Sequence, residues 1–185
     1  MNLILKRNQI TLRKLRRSDA PDLQKAINHR DISRWTILIP YPYTMADARE
    51  FIANCLKHYR KKDAFPFAIV SNETGKLVGV TKLDSIHVRD RRAELGYWLS
   101  KDYRGRGLTT EAVNLTCKFA FKSLKLHKVF ALTFVLNTAS QKVLKKNGFT
   151  LEGKLRKAQY KNRRWHDMLY WGLLDGDFKK QGQTT

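Results

Sequence analysis

The sequence predicts an α/β domain built on one central mixed sheet with helices on both faces. Three stretches carry that prediction. Residues 92–99 alternate, with Ala93, Leu95, Tyr97 and Leu99 on one face and Glu94, Gly96 and Trp98 on the other, the pattern of a strand. Leu108, Ala112, Leu115 and Phe119 then recur at spacings of four, three and four, the apolar stripe of a helix. Residues 129–136 are almost continuously apolar, which suits a strand buried on both faces.

The remaining elements follow in order. Residues 10–16 alternate well enough for a first strand. Ser18, Asp19 and Pro21 mark a helix start: a capping side chain, then a proline whose missing N–H costs nothing in the first turn. Leu23, Ala26 and Ile27 form the stripe of that helix. Tyr41-Pro42-Tyr43 interrupts the chain before a second helix, which Thr44 or Asp47 caps and which turns Ala48, Phe51, Ile52 and Cys55 inward. Residues 65–70 and 76–83 read as strands joined by a hairpin turn at Asn72-Glu73-Thr74-Gly75. After the strand at 92–99, the helix from Leu108 and the strand at 129–136, Asn137 caps a helix through Val143 and Leu144 that ends at Asn147-Gly148. Residues 149–153 and 165–172 supply the last two strands, with residues 159–165 as the loop between them.

With 185 residues, 42% of them hydrophobic, the chain can bury one good core but not two. No repeat, low-complexity tract or linker divides it, so residues 1–175 are expected to form one domain and 176–185, which lack periodicity, a fraying tail. The 37 Lys and Arg against 16 Asp and Glu leave a formal charge of +21, which points to a polyanionic partner: nucleic acid, an acidic membrane or a multiply phosphorylated ligand. Cys55 and Cys117 lack both metal-site spacing and a disulfide framework, and no two of the five histidines are spaced for a metal. The expectation is no metal site and a reducing cytoplasm. The apolar start, Leu3-Ile4-Leu5, is too short for a secretory signal, and no segment approaches transmembrane length.

The chemistry concentrates where strand 92–99 runs into the next helix, at Arg104-Gly105-Arg106-Gly107-Leu108-Thr109. N–H groups at a helix start have no intrahelical partners, the helix dipole adds positive charge there, and glycines let a phosphate approach the backbone. An ordinary tight turn on a basic surface would contain the same glycines. Two better-known phosphate motifs are excluded. A dinucleotide fingerprint needs a third glycine where Thr110 stands and an acidic residue about twenty positions later, yet no Asp or Glu occurs between Ala112 and Leu151. A nucleotide P-loop needs Gly-Lys-Ser/Thr, which the chain lacks. Residues 104–146 hold two Arg and seven Lys against Glu111 alone, a net of +8 that suits a ligand with several phosphates. Taken singly, each lysine reads equally well as a solvated surface side chain.

Arg104-x-x-Gly107 followed by a helix resembles the pyrophosphate-binding motif of the GNAT family of N-acetyltransferases, with Thr109 where the family usually has Gly or Ala. The segments at 93–99, 137–140, 147–156 and 167–170 further resemble the RimJ/RimL-type branch, which acetylates the N-termini of ribosomal proteins. The resemblance covers nearly the whole chain. It implies a mixed, mostly antiparallel sheet that splays open between the strand of Leu99 and the strand of Leu136. Acetyl-CoA would then lie with its pantetheine on backbone groups of Trp98 and Leu99. Its pyrophosphate would rest at Arg104 and on the amides of Gly105, Arg106, Gly107, Leu108 and Thr109, with Asn137 orienting it.

The proton-donating Tyr of the wider family falls on Leu144, which cannot donate, whereas the branch's serine falls on Ser140. Glu94 shares a face with Gly96 and Trp98, where a carboxylate can take a proton from an incoming ammonium. Bland readings exist for each: Ser140 as a first-turn residue bonding locally, Asn137 as a cap, Glu94 as a surface carboxylate beside Arg91 or Arg92.

The activity so implied is transfer of the acetyl group of acetyl-CoA to a primary amine by direct attack, with no covalent enzyme intermediate. Backbone N–H groups near the end of the Glu94 strand would stabilise the developing oxyanion. The expected acceptor is a ribosomal protein N-terminus, with ribosomal RNA as an electrostatic contact and a monomer or homodimer in the cytoplasm. Two alternatives stand beside it: acetylation of a small amine such as a polyamine, aminoglycoside or amino acid, and a non-catalytic basic RNA-binding module in which the aromatics of residues 159–165 stack on bases.

Overall fold

The computed structural model describes residues 4–181, and in it the alternating and apolar runs assemble into one eight-stranded sheet. Its strands are β1 (Ile4–Lys6), β2 (Ile10–Lys14), β3 (Phe65–Ser71), β4 (Leu77–His87), β5 (Arg92–Leu99), β6 (Lys128–Phe134), β7 (Thr150–Lys161) and β8 (Arg164–Leu174). The helices are α1 (Ala20–Ile27), α2 (Arg30–Trp35), α3 (Met45–Lys61), α4 (Leu108–Lys122), α5 (Thr138–Lys146) and α6 (Asp175–Gln181). The spatial order is β1-β2-β3-β4-β5-β6-β8-β7. Every neighbouring pair is antiparallel except β5–β6, which α4 connects as a parallel crossover.

Strand alternation divides the core in two. Phe65, Phe67 and Ile69 of β3 face α4, along with Ala93, Leu95 and Leu99 of β5. Ala68 and Val70 point the other way, and with Val80 and Trp98 they pack against Leu23 and Ile27 of α1 and Ala48, Ile52 and Cys55 of α3. Helix α4 buries more than its predicted stripe: Val113, Cys117 and Ala120 also have no exposed surface. Its hydroxyl-bearing face is matched too, for Thr116 Oγ1 meets Thr81 Oγ1 of β4 at 3.1 Å inside the core.

Polar side chains set the helix starts. Thr44 and Asp47, alternatives in the sequence reading, act together at α3. The Asp47 N–H donates to Thr44 Oγ1 (3.1 Å) while the Thr44 N–H donates to the Asp47 carboxylate (2.7 Å). Asp19 occupies the N-cap position of α1, but its carboxylate makes no capping bond to that helix, contrary to the expected capping side chain. It is buried, accepts both guanidinium nitrogens of Arg13 at 2.8 Å, and accepts the Arg16 N–H at 2.7 Å. Asp19→Ala strands a mostly buried Arg13 charge, so the variant should lose about 3–5 kcal/mol of stability. Denaturant unfolding measures this, and a loss under about 1 kcal/mol would show that water already satisfies the pair.

Several boundaries differ from the sequence reading. β1 and α2 are short elements without a clear periodic signal. β6 ends at Phe134, leaving Leu136 73% exposed. β7 runs to Lys161 and β8 starts at Arg164, so the loop expected over 159–165 is a two-residue hairpin turn with Asn162 and Arg163 both at positive φ (50° and 58°). The tail expected from 176 continues as α6, where the Phe178 ring lies 5.3 Å from that of Phe121. Residues 182–185 of that expectation lie outside the described residues.

Candidate active site

The parallel pair that joins the two halves of the sheet is short. β5 and β6 pair only at Arg92–Lys128, Ala93–Val129 and Glu94–Phe130. Beyond Glu94, β5 stays on β4 and β6 stays on β8, so the strands part and each presents an unpaired edge. A cavity of about 480 Å³ opens in that gap. It is lined by Glu94, Gly96 and Trp98 of β5, Lys82 and Asp84 of β4, Asn137 and Ser140 at the start of α5, and the apolar Ile37-Leu38-Ile39 with Phe51. The splayed sheet expected from the resemblance is therefore present, and four of the sequence-derived site residues line one cavity.

Glu94 is half-buried, and no hydrogen bond contributes to its proton affinity. Burial pushes its pKa above the ordinary carboxylate range; Lys82 opposes the shift, and Asp84, paired directly opposite Glu94 in the β4–β5 register, adds to it. Asp84 moves the other way. Burial alone would raise it, but the hydrogen bond and charge of Lys82 outweigh that and hold it low. The two facing carboxylates therefore shift in opposite directions, and the ion pair with Lys82 belongs to Asp84.

Asn137 caps α5, its Oδ1 accepting the Ser140 N–H at 3.2 Å. This leaves the Ser140 hydroxyl on the first helical turn at the cavity wall. Leu144, at the wider family's tyrosine position, is wholly buried in the α4-side core.

The glycine loop lies apart from this cavity. Gly105 (φ 78°) and Gly107 (φ 80°) both adopt left-handed conformations, and Gly107 precedes α4 without any side chain capping its amides. A Cβ placed on either glycine would meet nothing within 4 Å. The helix start is thus uncapped, open and free of side-chain cover, as a bound pyrophosphate requires. A hollow of about 360 Å³ adjoins it, lined by Arg106 and Leu108 together with Gln9, Asn72 and Tyr103. Arg104 does not point its guanidinium there. It is paired with Asp31 and donates from Nε and Nη2 to the Leu99 carbonyl at 3.3 Å, bracing the end of β5. Nor do all the basic residues gather round the loop. Lys118 and Lys122 lie ten or more residues along α4 from Leu108, roughly 15 Å or further at 1.5 Å per residue, and Lys125 follows the end of that helix. Lys142, Lys145 and Lys146 belong to α5, whose Asn147 amide reaches back to the Thr110 carbonyl at 3.2 Å.

Sequence reasoning missed Lys82, read only as part of the strand at 76–83, Asp84, which lay just beyond that strand, and the segment at 37–39. The β4–β5 register could have found the first pair, because Asp84 and Lys82 share the face of Glu94. Among the described residues no three His, Cys, Asp or Glu side chains are grouped to hold a metal ion.

Residues 9–150 match the Acetyltransferase (GNAT) domain family. A Bacillus subtilis protein named "Putative ribosomal N-acetyltransferase YdaF" is 30% identical over 173 residues, 92% of this chain and 93% of that one. The spermidine N(1)-acetyltransferase of Vibrio cholerae is 26% identical over 177 residues, 95% of this chain and 99% of its own length. The solved structure of the microcin C7 self-immunity acetyltransferase MccE, in complex with acetyl-CoA and AMP, superposes with a TM-score of 0.84 at 25% identity, covering 91% of this chain and 93% of that one.

Proposed function

Because the chain belongs to the GNAT acetyltransferase family, in its RimJ/RimL-type branch, with acetyl-CoA as co-substrate, we propose that it acetylates the N-terminal amine of a ribosomal protein. The observation that carries the chemistry is the cavity in the splay, which Glu94 of β5 and Ser140 of α5 both line. Bound there, acetyl-CoA supplies a thioester whose carbonyl carbon an amine can attack. The amides of residues 105–109 hold the pyrophosphate, the unpaired edge of β5 at Trp98 and Leu99 offers backbone groups to the pantetheine, and the Asn137 amide nitrogen orients it. Glu94 takes the proton that the incoming ammonium must lose. Ser140 Oγ donates a hydrogen bond where the sulfur becomes negative; its weak acidity suits it to this better than to outright ionisation.

Support for a ribosomal acceptor comes from the named similarity to the Bacillus subtilis relative and from the charge of +21. A protein so basic repels a free cationic peptide but is drawn to RNA, which supports an acceptor on a ribonucleoprotein. No described helix is long and apolar enough to cross a membrane. The β7–β8 hairpin is the best-suited contact. Lys154, Arg156, Lys157, Arg163 and Arg164 are exposed on it, and Tyr160 and Trp165 at its tip are 55% and 61% exposed. A second reading, acetylation of a small polyamine, is favoured by the facing carboxylates Glu94 and Asp84 and by likeness to the spermidine enzyme.

An acetyl-CoA turnover screen against ribosomal-protein N-terminal peptides, polyamines and aminoglycosides separates the readings. Preference for a peptide supports the first, and preference for a polyamine replaces it with the second. The cofactor loop has its own test. Gly107→Val puts a branched side chain into the open space at the α4 start at a backbone cost of about 1–2 kcal/mol, which a whole domain tolerates. Acetyl-CoA affinity measured by calorimetry should fall at least about tenfold, the worth of roughly one charge-assisted hydrogen bond. Unchanged affinity in a folded variant would move the pyrophosphate elsewhere.

A further inference from the structure

The parity of β5 puts Tyr97 on the core face, and its ring does pack against the α4-side core. Its hydroxyl does not stay there. It reaches the cavity wall, 2.8 Å from Ser140 Oγ and 3.2 Å from the Ser140 carbonyl oxygen. A phenylalanine would fill the same space without the desolvation a buried phenol requires, so the hydroxyl needs an explanation in its partner. That partner is a single residue approached at two of its oxygens.

We propose that Tyr97 is a positioning residue that holds the Ser140 hydroxyl so that its proton faces the sulfur of bound acetyl-CoA. The inference rests on the assignment of Ser140 above. A serine hydroxyl carries one proton and two acceptor lone pairs. A carbonyl only accepts, and the hydroxyl–hydroxyl contact can run either way, so the single Tyr97 proton has two candidate acceptors on the same residue. When it donates to Oγ, the serine keeps its own proton for a different acceptor, and the incoming bond polarises that O–H and strengthens the next one. Asn137 fixes the Ser140 backbone from the other side through its N–H. The residue is therefore held at its main-chain N–H and, when Tyr97 donates, at one lone pair of Oγ, which leaves the hydroxyl proton and the second lone pair for other partners. Burial raises the phenol pKa far above its ordinary range, with the Ser140 bond opposing weakly, so Tyr97 remains a donor and gives up no proton.

The test combines a double-mutant cycle with a measurement that needs no turnover. Tyr97→Phe should lower kcat about tenfold, the worth of one hydrogen bond to a developing charge, with acetyl-CoA affinity changed less than about twofold. In a Ser140→Ala background the same change should lower kcat by less than about twofold, because the residue it positions is gone. Independently, a hydroxyl aimed at sulfur favours the CoA thiolate. CoA binding near pH 8, followed by calorimetry in buffers of different ionisation enthalpy, should then release protons in the wild type, and less in Tyr97→Phe and Ser140→Ala alike. Thermal unfolding checks that the near-isosteric Tyr97→Phe keeps its packing. Costs that multiply independently in the double variant, or undiminished proton release in Tyr97→Phe, would overturn the inference. An unchanged kcat in Ser140→Ala would instead overturn the Ser140 assignment on which it rests.

Discussion

Glu94→Gln is expected to lower kcat by about 10²–10⁴-fold while leaving acetyl-CoA affinity nearly intact, the range for losing a positioned general base. The amide keeps the size and polarity of the side chain but cannot accept the ammonium proton. The pH profile makes the assignment specific. A base must be ionised to act, so the wild-type rate falls as pH drops through the Glu94 pKa. Burial raises that pKa, Lys82 opposes the rise, and Asp84 adds the smallest contribution. The acidic limb of kcat/KM should therefore sit higher than a surface glutamate would place it. Lys82→Met removes the opposing charge and should move the limb higher still. Loss of acetyl-CoA binding in step with the loss of rate would make Glu94 a binding group rather than a base.

The parts of this site that were legible in the sequence are those in which local pattern and chemistry coincide. Strand parity alone separated Glu94, Gly96 and Trp98 from Ala93, Leu95 and Leu99, and the two sets do face different layers. The start of α4 was legible because two glycines with positive φ sit where a periodic helix begins. What stayed hidden depends on pairing between distant segments. Asp84 opposes Glu94 only through the β4–β5 register, and Tyr97 meets Ser140 only through the packing of α5 near the splay. The hairpin at 162–163 was missed for a local reason. Such turns favour Asn-Gly, and here Arg163 occupies the second left-handed position at a steric cost the sequence does not advertise. Arg104 shows the converse: it sits in the right motif, yet its guanidinium braces Leu99 and Asp31 instead of facing a phosphate.

Ribosome affinity is expected to fall by roughly 10³–10⁵-fold between 50 and 200 mM salt if six to ten phosphates are engaged, because each neutralised phosphate releases condensed counterions. The net of +21 already offsets one base for every acid, so what pairing decides is which bases carry it. Arg13 is committed to buried Asp19, Arg104 to Asp31 and Lys128 to Glu152, so none of the three is free for RNA. The exposed bases of the β7–β8 hairpin are, apart from the Lys154–Asp167 pair. Two variants separate charge from stacking. Arg163→Gln should reduce the slope of log affinity against log salt by about one, uniformly across RNA sequences. Trp165→Ala should weaken binding by about 1–3 kcal/mol with the slope unchanged, since a ring displaces no counterions. Neither residue lines the catalytic cavity, so acetylation of a free peptide should be preserved in both. Co-sedimentation with ribosomes across the salt range is the measurement. A protein that stays in the supernatant at the lowest salt would remove the physical support for a ribosomal acceptor. The facing carboxylates beside the cavity would then favour a small polyamine.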